Sequence, residues 1–484
     1  MNVRMRFIAE YTEALLDGTA AAFVGAGASA AAGYPDWKQL LRDIGDELEL
    51  RVDDVTDLAA LAQWSIQKAG GSRSRVQQVI DREIGRQRPV PSSLQTLVRL
   101  PLRHYWTTNY DELIERALAE AGRPYRVRAT QADLSTRHVP GAAVVYKMHG
   151  TVSDLSSVVI STDDYELYRR ERGAFLPLLQ AQLTSRTFLF VGMSLTDPNV
   201  RQVLGAIRHA FGTSPPQHFA IARAPKRGED ESEAAFQARE RQHQYWAKDL
   251  MRYGLTVIEV AEYGEIDDLL AALGRSVARR RLWISGSWPW PDAEGERGAD
   301  TVDRIARALG QTAAELGLTL VSGNGQLIGS SSVGAFLETL QQSGAWDLER
   351  RLIARPFPQP GPTLNVGRDQ WTALRREMAG LSGTVVFIGG LKRDDSRLVE
   401  ADGVFEEYEL ARAAGAYLLP IGATGGAAAE IAKRLHGSPL PSDGPRAQRP
   451  SDAMLEALAD RDASPESIID RAKGAVRHAL NLGA

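Results

Sequence analysis

The chain has 484 residues, 43% hydrophobic and 24% charged, with a formal net charge of −4, which points to two or three ordinary globular domains. That charge gives no case for nucleic-acid or membrane-surface binding, and no apolar run approaches the roughly 18 residues a membrane span needs. Cysteine is absent, which excludes disulfides, thiolate catalysis and Cys-ligated zinc and fits a cytoplasmic protein; the eight histidines are scattered without an i, i+4 pair, so no metal is expected.

Met1 to Ala9 carries arginines without the apolar stretch of a secretory signal. Residues 1 to about 275 then alternate short β-rich runs with longer helical stretches, the rhythm of a parallel α/β sheet. Ala21 to Val24 reads as a strand ending in Gly25-Ala26-Gly27-Ala28-Ser29. His104 to Thr107 ends in Thr108-Asn109-Tyr110-Asp111, and Ala143 to Tyr146 in Lys147-Met148-His149-Gly150. Side chains at the carboxyl ends of parallel strands converge on one crevice, where open α/β sheets bind nucleotides, so these three motifs are expected to form one site. Phe188 to Val191 is a further strand, ending in Gly192-Met193-Ser194; His218 to Ala222 and Leu255 to Val260 are two more. Arg227 to Lys248 is heavily charged and reads as a solvated helix.

Arg279-Arg280-Arg281, a basic helix terminus facing its own dipole, marks the expected border between domains 1–278 and 279–484. A second βα series follows. Leu282 to Gly286 enters a turn, Asp300 can cap a helix with apolar positions from Val302 to Leu316, and Leu318 to Val321 resumes the sheet. Thr384 to Ile388 and Tyr417 to Ile421 are later strands, and Ser438 to Pro450 reads as a loop before a helical tail. The expected fold class is therefore α/β, with two Rossmann-like parallel-sheet domains and no internal repeat.

The first glycine turn lacks the third Rossmann glycine, with Ala30 near its place, and no acidic residue is placed for a dehydrogenase ribose; hydride transfer is disfavoured. Backbone N–H groups at Gly25, Ala26, Gly27 and Ala28 are expected to hold a pyrophosphate. Asn109 can orient a ribose or an attacking water, and His149 can act as general base. Asp36 and Asp111 either position the far end of the ligand or cap turns.

The motifs Gly25-Ala26-Gly27-Ala28-Ser29, Gly33-Tyr34-Pro35-Asp36-Trp37, Thr108-Asn109-Tyr110-Asp111, His149-Gly150 and Gly192-Met193-Ser194-Leu195 resemble, in order, the signature of the sirtuins. The resemblance implies NAD+ as substrate, Asn109 and His149 as the catalytic pair, and Gly25, Ala26, Gly27, Ser29, Asp36, Asp111, Gly192 and Ser194 as cofactor-binding residues. Thr108 replaces the sirtuin Gln. Protein-deacylating sirtuins also carry a four-cysteine zinc module, which this chain lacks, so hydrolysis of NAD+ by water is favoured over deacylation or ADP-ribosyl transfer; the presence of both Asn109 and His149 opposes a non-catalytic ADP-ribose or NAD binding module.

In the second half, Ser285-Gly286-Ser287, Ser322-Gly323-Asn324-Gly325, Gly389-Gly390-Leu391-Lys392 and Gly422-Ala423-Thr424-Gly425-Gly426 each follow a strand and suggest a second nucleotide pocket. Arg375, Arg376 and Lys392 can supply countercharge, and Glu407 can accept ribose hydroxyls; each is also a plausible solvated charge. This half resembles SLOG domains, nucleotide sensors related to the cytokinin-activating LOG hydrolases. It retains only fragments of their catalytic run, which favours sensing. A sirtuin-like half followed by a SLOG half resembles the NAD-degrading effectors of Thoeris anti-phage systems. That likeness implies a cyclic ADP-ribose-type signal made by a TIR-domain partner, bound by Ser285, Gly286, Gly323, Gly325, Arg375, Lys392 and Glu407, and a homo-oligomer of four or more chains.

Overall fold

Seven parallel strands build the sheet of the first unit: β1 (Ala20–Val24), β2 (His104–Thr107), β3 (Tyr125–Arg128), β4 (Ala143–Lys147), β5 (Thr187–Val191), β6 (His218–Arg223) and β7 (Leu255–Val260), in the order β3-β4-β2-β1-β5-β6-β7. The protein is described here from a computed structural model, over residues 2–137, 139–193, 195, 197–289, 298–344, 348–358, 367–394, 397–440 and 448–481. It divides into two units, Met1–Gly274 and Arg275–Ala484, the division falling within the helix Glu265–Arg279, a few residues before the border read from the arginine run.

Strand register brings the sequence motifs side by side. Tyr146, Trp106, Phe23 and Phe190 are aligned across β4, β2, β1 and β5. Their rings form a buried row: Trp106 stacks on Tyr146 with centroids 4.3 Å apart, and Phe23 on Phe190 at 5.5 Å. Because side chains alternate along a strand, one aligned row on the core face fixes the height of everything beyond it. One step further lie Lys147, Thr107, Val24 and Val191, and then the chain leaves all four strands for the loops that carry the motifs. The chain runs to one side of β1 to make β2 through β4 and to the other side to make β5 through β7, so the topological switch lies between β1 and β5.

At that switch the two strand ends meet glycine against glycine. Gly25 N donates to Val191 O at 2.9 Å, and Gly27 N to Gly192 O at 2.8 Å. A Cβ on Gly25 would lie 2.5 Å from the Gly192 carbonyl oxygen, and one on Gly27 would lie 2.8 Å from Gly192 Cα. Gly192 itself has φ +66°, and its Cβ would lie 2.6 Å from Ala28 N.

The second unit has a five-stranded parallel sheet of β8 (Arg281–Ser287), β9 (Thr319–Ser322), β10 (Leu352–Ala354), β11 (Thr384–Gly389) and β14 (Tyr417–Ile421), ordered β10-β9-β8-β11-β14. A separate antiparallel pair, β12 (Leu391–Asp394) with β13 (Arg397–Glu400), follows β11. Both faces of the five-stranded sheet are covered, one around Ile284, Val386 and Leu419, the other around Trp283, Val385 and Leu418. The strands without a sequence signal are β3, β10 and the β12–β13 pair. β3 and β10 are short edge strands, β3 interleaves arginines, and β12–β13 is charged and partly exposed, so none shows the apolar run of a central strand. The charged helix read over Arg227 to Lys248 is observed as Glu233–Met251. No described helix is long and apolar enough to cross a membrane.

Gly192→Ala is expected to lower stability by roughly 1–3 kcal/mol, since it combines a strained φ with overpacking at the seam. In thermal melts of the full chain the affected transition should drop by several degrees. Gly205→Ala, in a helix interior with open space around its Cβ, should leave it unchanged or raise it.

Candidate active site

A cavity of about 1540 Å³ opens at the carboxyl ends of β1, β2, β4, β5 and β6 in the first unit. It is larger than the roughly 300–1,000 Å³ typical of small-molecule sites, enough for a dinucleotide. Gly25, Ala26, Gly27, Ser29, Asn109, Asp111, His149 and Gly192 all line it. The sequence motifs are therefore brought together.

Asn109 is held by a relay of hydrogen bonds. Its backbone N–H donates to Thr107 Oγ1 at 2.9 Å, while its side-chain Nδ2 donates to Gly25 O at 3.0 Å and to Ser29 Oγ at 2.8 Å. Ser29 Oγ in turn donates to Asp111 Oδ2 at 2.5 Å, and Asp111 Oδ1 accepts from Leu113 N at 3.0 Å. Both amide hydrogens of Asn109 are thus committed, and its Oδ1 is left as the acceptor that meets a ligand. Ser29 and Asp111 line the cavity, but their bonds hold Asn109.

Below this relay sits a buried ion pair. Lys147, fully buried, donates to Asp111 O and bonds Glu115 Oε1 at 3.0 Å. Burial pushes the Glu115 carboxyl up while Lys147 pulls it down. A buried charge pair is tolerated only when its remaining bonds are good; here the lysine also fixes the backbone of the Asn109–Asp111 turn.

His149 is buried, its ring edge-on to Tyr165 and Tyr168 at centroid distances of 5.5 and 6.1 Å. Gly150, at φ +86°, turns the chain where any Cβ would strike the Ser157 carbonyl. Arg172 clamps the loop that follows by donating to Ala129 O at 2.5 Å, Met148 O at 3.3 Å and Ser157 O, and Tyr168 OH donates to Met148 O at 3.1 Å. Burial lowers the His149 pKa below its ordinary value near 6.5; Asp197 opposes that shift, Arg172 adds to it and Asp164 opposes it. Burial thus favours the neutral imidazole, the form a general base needs.

Two expectations are narrowed. Three of the four N–H groups expected to hold a phosphate, those of Gly25, Gly27 and Ala28, already donate to Val191 O, Gly192 O and Gly25 O. The glycines of this turn serve the close approach of two strand ends. Asp36 is outside the cavity lining; exposed, it caps the helix Trp37–Leu40 by accepting from Gln39 N at 2.8 Å, while its own N–H bonds Gln39 Oε1. Ser194 lies outside the described residues. Sequence reasoning passed over Asp197, Lys147, Glu115, Tyr165 and Arg172. Asp197-Pro198 carries the mark of a helix start, with Asp as cap and Pro at the first helical position, but nothing in the sequence ties it to His149.

In the second unit, Ser285 Oγ donates to Glu407 Oε2 at 2.5 Å, and Arg375 bonds Glu407 Oε1 at 3.3 Å and Glu406 Oε2 at 2.7 Å. Arg375 lies over the Phe357 ring at 5.2 Å, and a Cβ on Gly323 would lie 2.5 Å from that same ring. Lys392 bonds Asp402 Oδ1 at 2.5 Å, and a Cβ on the adjacent Gly403 would strike the Arg375 guanidinium. A Cβ on Gly325 would lie 3.9 Å from Gly286 O. The residues read as a signal pocket are therefore neighbours. Glu407 is buried, its carboxyl pushed up by desolvation against the pull of Ser285 and Arg375, and Arg375 is committed to two carboxylates. Among the described residues no group of three or more His, Asp or Glu is placed to hold a metal.

Comparison with known proteins agrees with both halves. A model of the "SIR2-like domain" matches residues 103–250, and one of the "Sir2- and TIR-associating SLOG family" matches 265–477. A protein of Bacillus cereus (strain MSX-D12) named NAD(+) hydrolase ThsA is 35% identical over 420 residues, covering 87% of this chain and 87% of its own length. Proteins of the same name from Enterococcus faecium and Acinetobacter baumannii (strain 532279) are 34% and 33% identical, over 87% and 85% of this chain and 88% and 86% of their own lengths. With identity of that level running through both halves, the chain belongs to the ThsA family.

Proposed function

We propose that this chain is an NAD+ glycohydrolase that cleaves the nicotinamide–ribose bond in the cavity of its first unit and passes the ADP-ribosyl group to water. The observation that carries this reading is one cavity in which a locked Asn109 amide and a buried His149 face the same space. Loss of nicotinamide develops positive charge at the anomeric carbon. Asn109 Oδ1 can accept from a ribose hydroxyl or the incoming water and so hold the nucleophile in line. His149 takes the proton as the new C–O bond forms, and burial favours its neutral form beforehand. The relatives' name, NAD(+) hydrolase, supports the same substrate. Protein deacylation is the weaker reading, because the chain has no cysteine for the zinc module that borders the peptide cleft in deacylating sirtuins.

The second unit is read as the sensor, taking a cyclic ADP-ribose-type nucleotide supplied by a TIR-domain partner, with the active chain a homo-oligomer in the cytoplasm that serves anti-phage defence by depleting NAD+. The family description, "Sir2- and TIR-associating SLOG", supports it, as does the gathering of Ser285, Gly323, Arg375, Lys392 and Glu407.

His149→Ala and Asn109→Ala should each retain the fold and abolish nicotinamide release from NAD+, measured chromatographically with no added acceptor; for His149, the general base, the loss should be about a hundredfold to ten-thousandfold or greater. Near-normal release by folded His149→Ala would overturn the mechanism. For the sensor, Lys392→Ala is the cleaner variant, since Lys392 is partly exposed with one carboxylate partner, whereas removing Arg375 strands the buried Glu407. Losing one charge-assisted phosphate contact, about 1.5–3 kcal/mol, should move the midpoint of activation by cyclic ADP-ribose isomers at least tenfold. Superimposable activation curves would remove Lys392 from the sensor.

A further inference from the structure

His149 has one neighbour whose purpose the sirtuin-like motifs do not explain. Its buried Nε2 makes no hydrogen bond among the described residues, and 3.4 Å away stands a carboxylate oxygen, Asp197 Oδ2. Asp197 is anchored at a helix start. It begins the helix Pro198–Phe211, its Oδ1 accepts from Val200 N at 3.0 Å, and Pro198 fixes the first helical position. One carboxylate oxygen is thus used as a helix cap, and the other faces the imidazole. Both residues line the cavity. Tyr165 and Tyr168 flank the ring edge-on, at centroid distances of 5.5 and 6.1 Å.

We infer that Asp197 is a positioning residue for His149, binding the Nε2–H so that one tautomer is held, and stabilising the imidazolium that forms when His149 accepts the proton. The inference rests on the glycohydrolase reading and adds a partner to its base. The logic is general: a carboxylate hydrogen-bonded to one ring nitrogen fixes which nitrogen carries the lone pair and offsets the charge that appears during proton transfer. Such an offset is needed here. Burial and the Arg172 guanidinium both disfavour the cation, and Asp197 and, from the helix Thr162–Glu171, Asp164 oppose them. Asp164 is already engaged by Arg73 at 2.5 and 3.1 Å, which leaves Asp197 as the carboxylate directed at the ring.

Asp197→Asn separates this role from the helix cap, because Asn caps a helix as well as Asp does but carries no charge. The full chain is tested in three forms: wild type, Asp197→Asn and His149→Ala. With a stable, folded Asp197→Asn protein, kcat for nicotinamide release is expected to fall by up to about ten-thousandfold, the loss seen where such a carboxylate fixes the tautomer of a catalytic histidine. Activity of a neutral-imidazole base fails as pH drops through the His149 pKa; losing Asp197 removes the group that holds that pKa up, so the acid limb of the kcat/KM profile should move to lower pH. Histidine-labelled NMR titration, with the His149 signal identified by its absence in His149→Ala, should show the same downward movement without turnover. A purely structural role predicts wild-type kcat, an unmoved acid limb and an unmoved titration; that result overturns the inference. If His149→Ala stays active, the base assignment itself has failed. If His149→Ala is dead while Asp197→Asn behaves as wild type, only the role given to Asp197 has failed.

Discussion

The active cavity depends on how closely β1 and β5 can approach at their carboxyl ends. Gly25 and Gly27 lie against Gly192 at distances that no side chain would allow, and two backbone hydrogen bonds, Gly25 N to Val191 O and Gly27 N to Gly192 O, close the seam. A nucleotide site at a switch point needs the two loops to diverge from a common edge. Here the glycines make that edge. The seam aims Gly25 O at Asn109 Nδ2 and sets Ser29 where it can receive the second amide hydrogen. A sequence motif that resembles a phosphate loop thus acts first as a joint between strands.

From this joint the order extends inward along a polar chain, Asn109 to Ser29 to Asp111 to Lys147 to Glu115. Its lower end is charged and buried, an expensive arrangement in which removing one partner of such a pair costs about 3–5 kcal/mol. The return is rigidity. The Asn109 amide cannot rotate without breaking two hydrogen bonds, so its oxygen is presented in one direction before a ligand arrives, which is what electrostatic preorganisation requires. His149 is fixed by different means, between two tyrosine edges and a loop that Arg172 fastens to three carbonyls.

The central strands and the strand-end motifs were legible because apolar runs followed by Gly, Asn or His are local patterns, and the parallel register then made neighbours of Gly25, Asn109, His149 and Gly192. The charged edge strand β3 and the three-residue β10 were not legible, lacking an apolar run. What the sequence hid about the site is long-range. Asp197 is readable as a helix cap, yet its second oxygen meets a ring 48 residues earlier only through the β4–β5 crossover. Lys147, at the end of an apolar strand, gives no sign that its partner is Glu115 on a neighbouring helix. Conversely, Asp36 sits within a family-like motif but is taken up locally by Gln39, a capping box that the Asp36-to-Gln39 spacing already contained.

The central claim is that NAD+ is cleaved at the β1–β5 switch, between Asn109 and His149. A structure of the full-length His149→Ala protein with NAD+ bound tests it most directly. The account predicts the nicotinamide ribose within hydrogen-bond reach of Asn109 Oδ1, with the anomeric carbon facing the space vacated by the imidazole. Nicotinamide ribose bound away from both residues, with Asn109 Oδ1 touching no ligand, would contradict it.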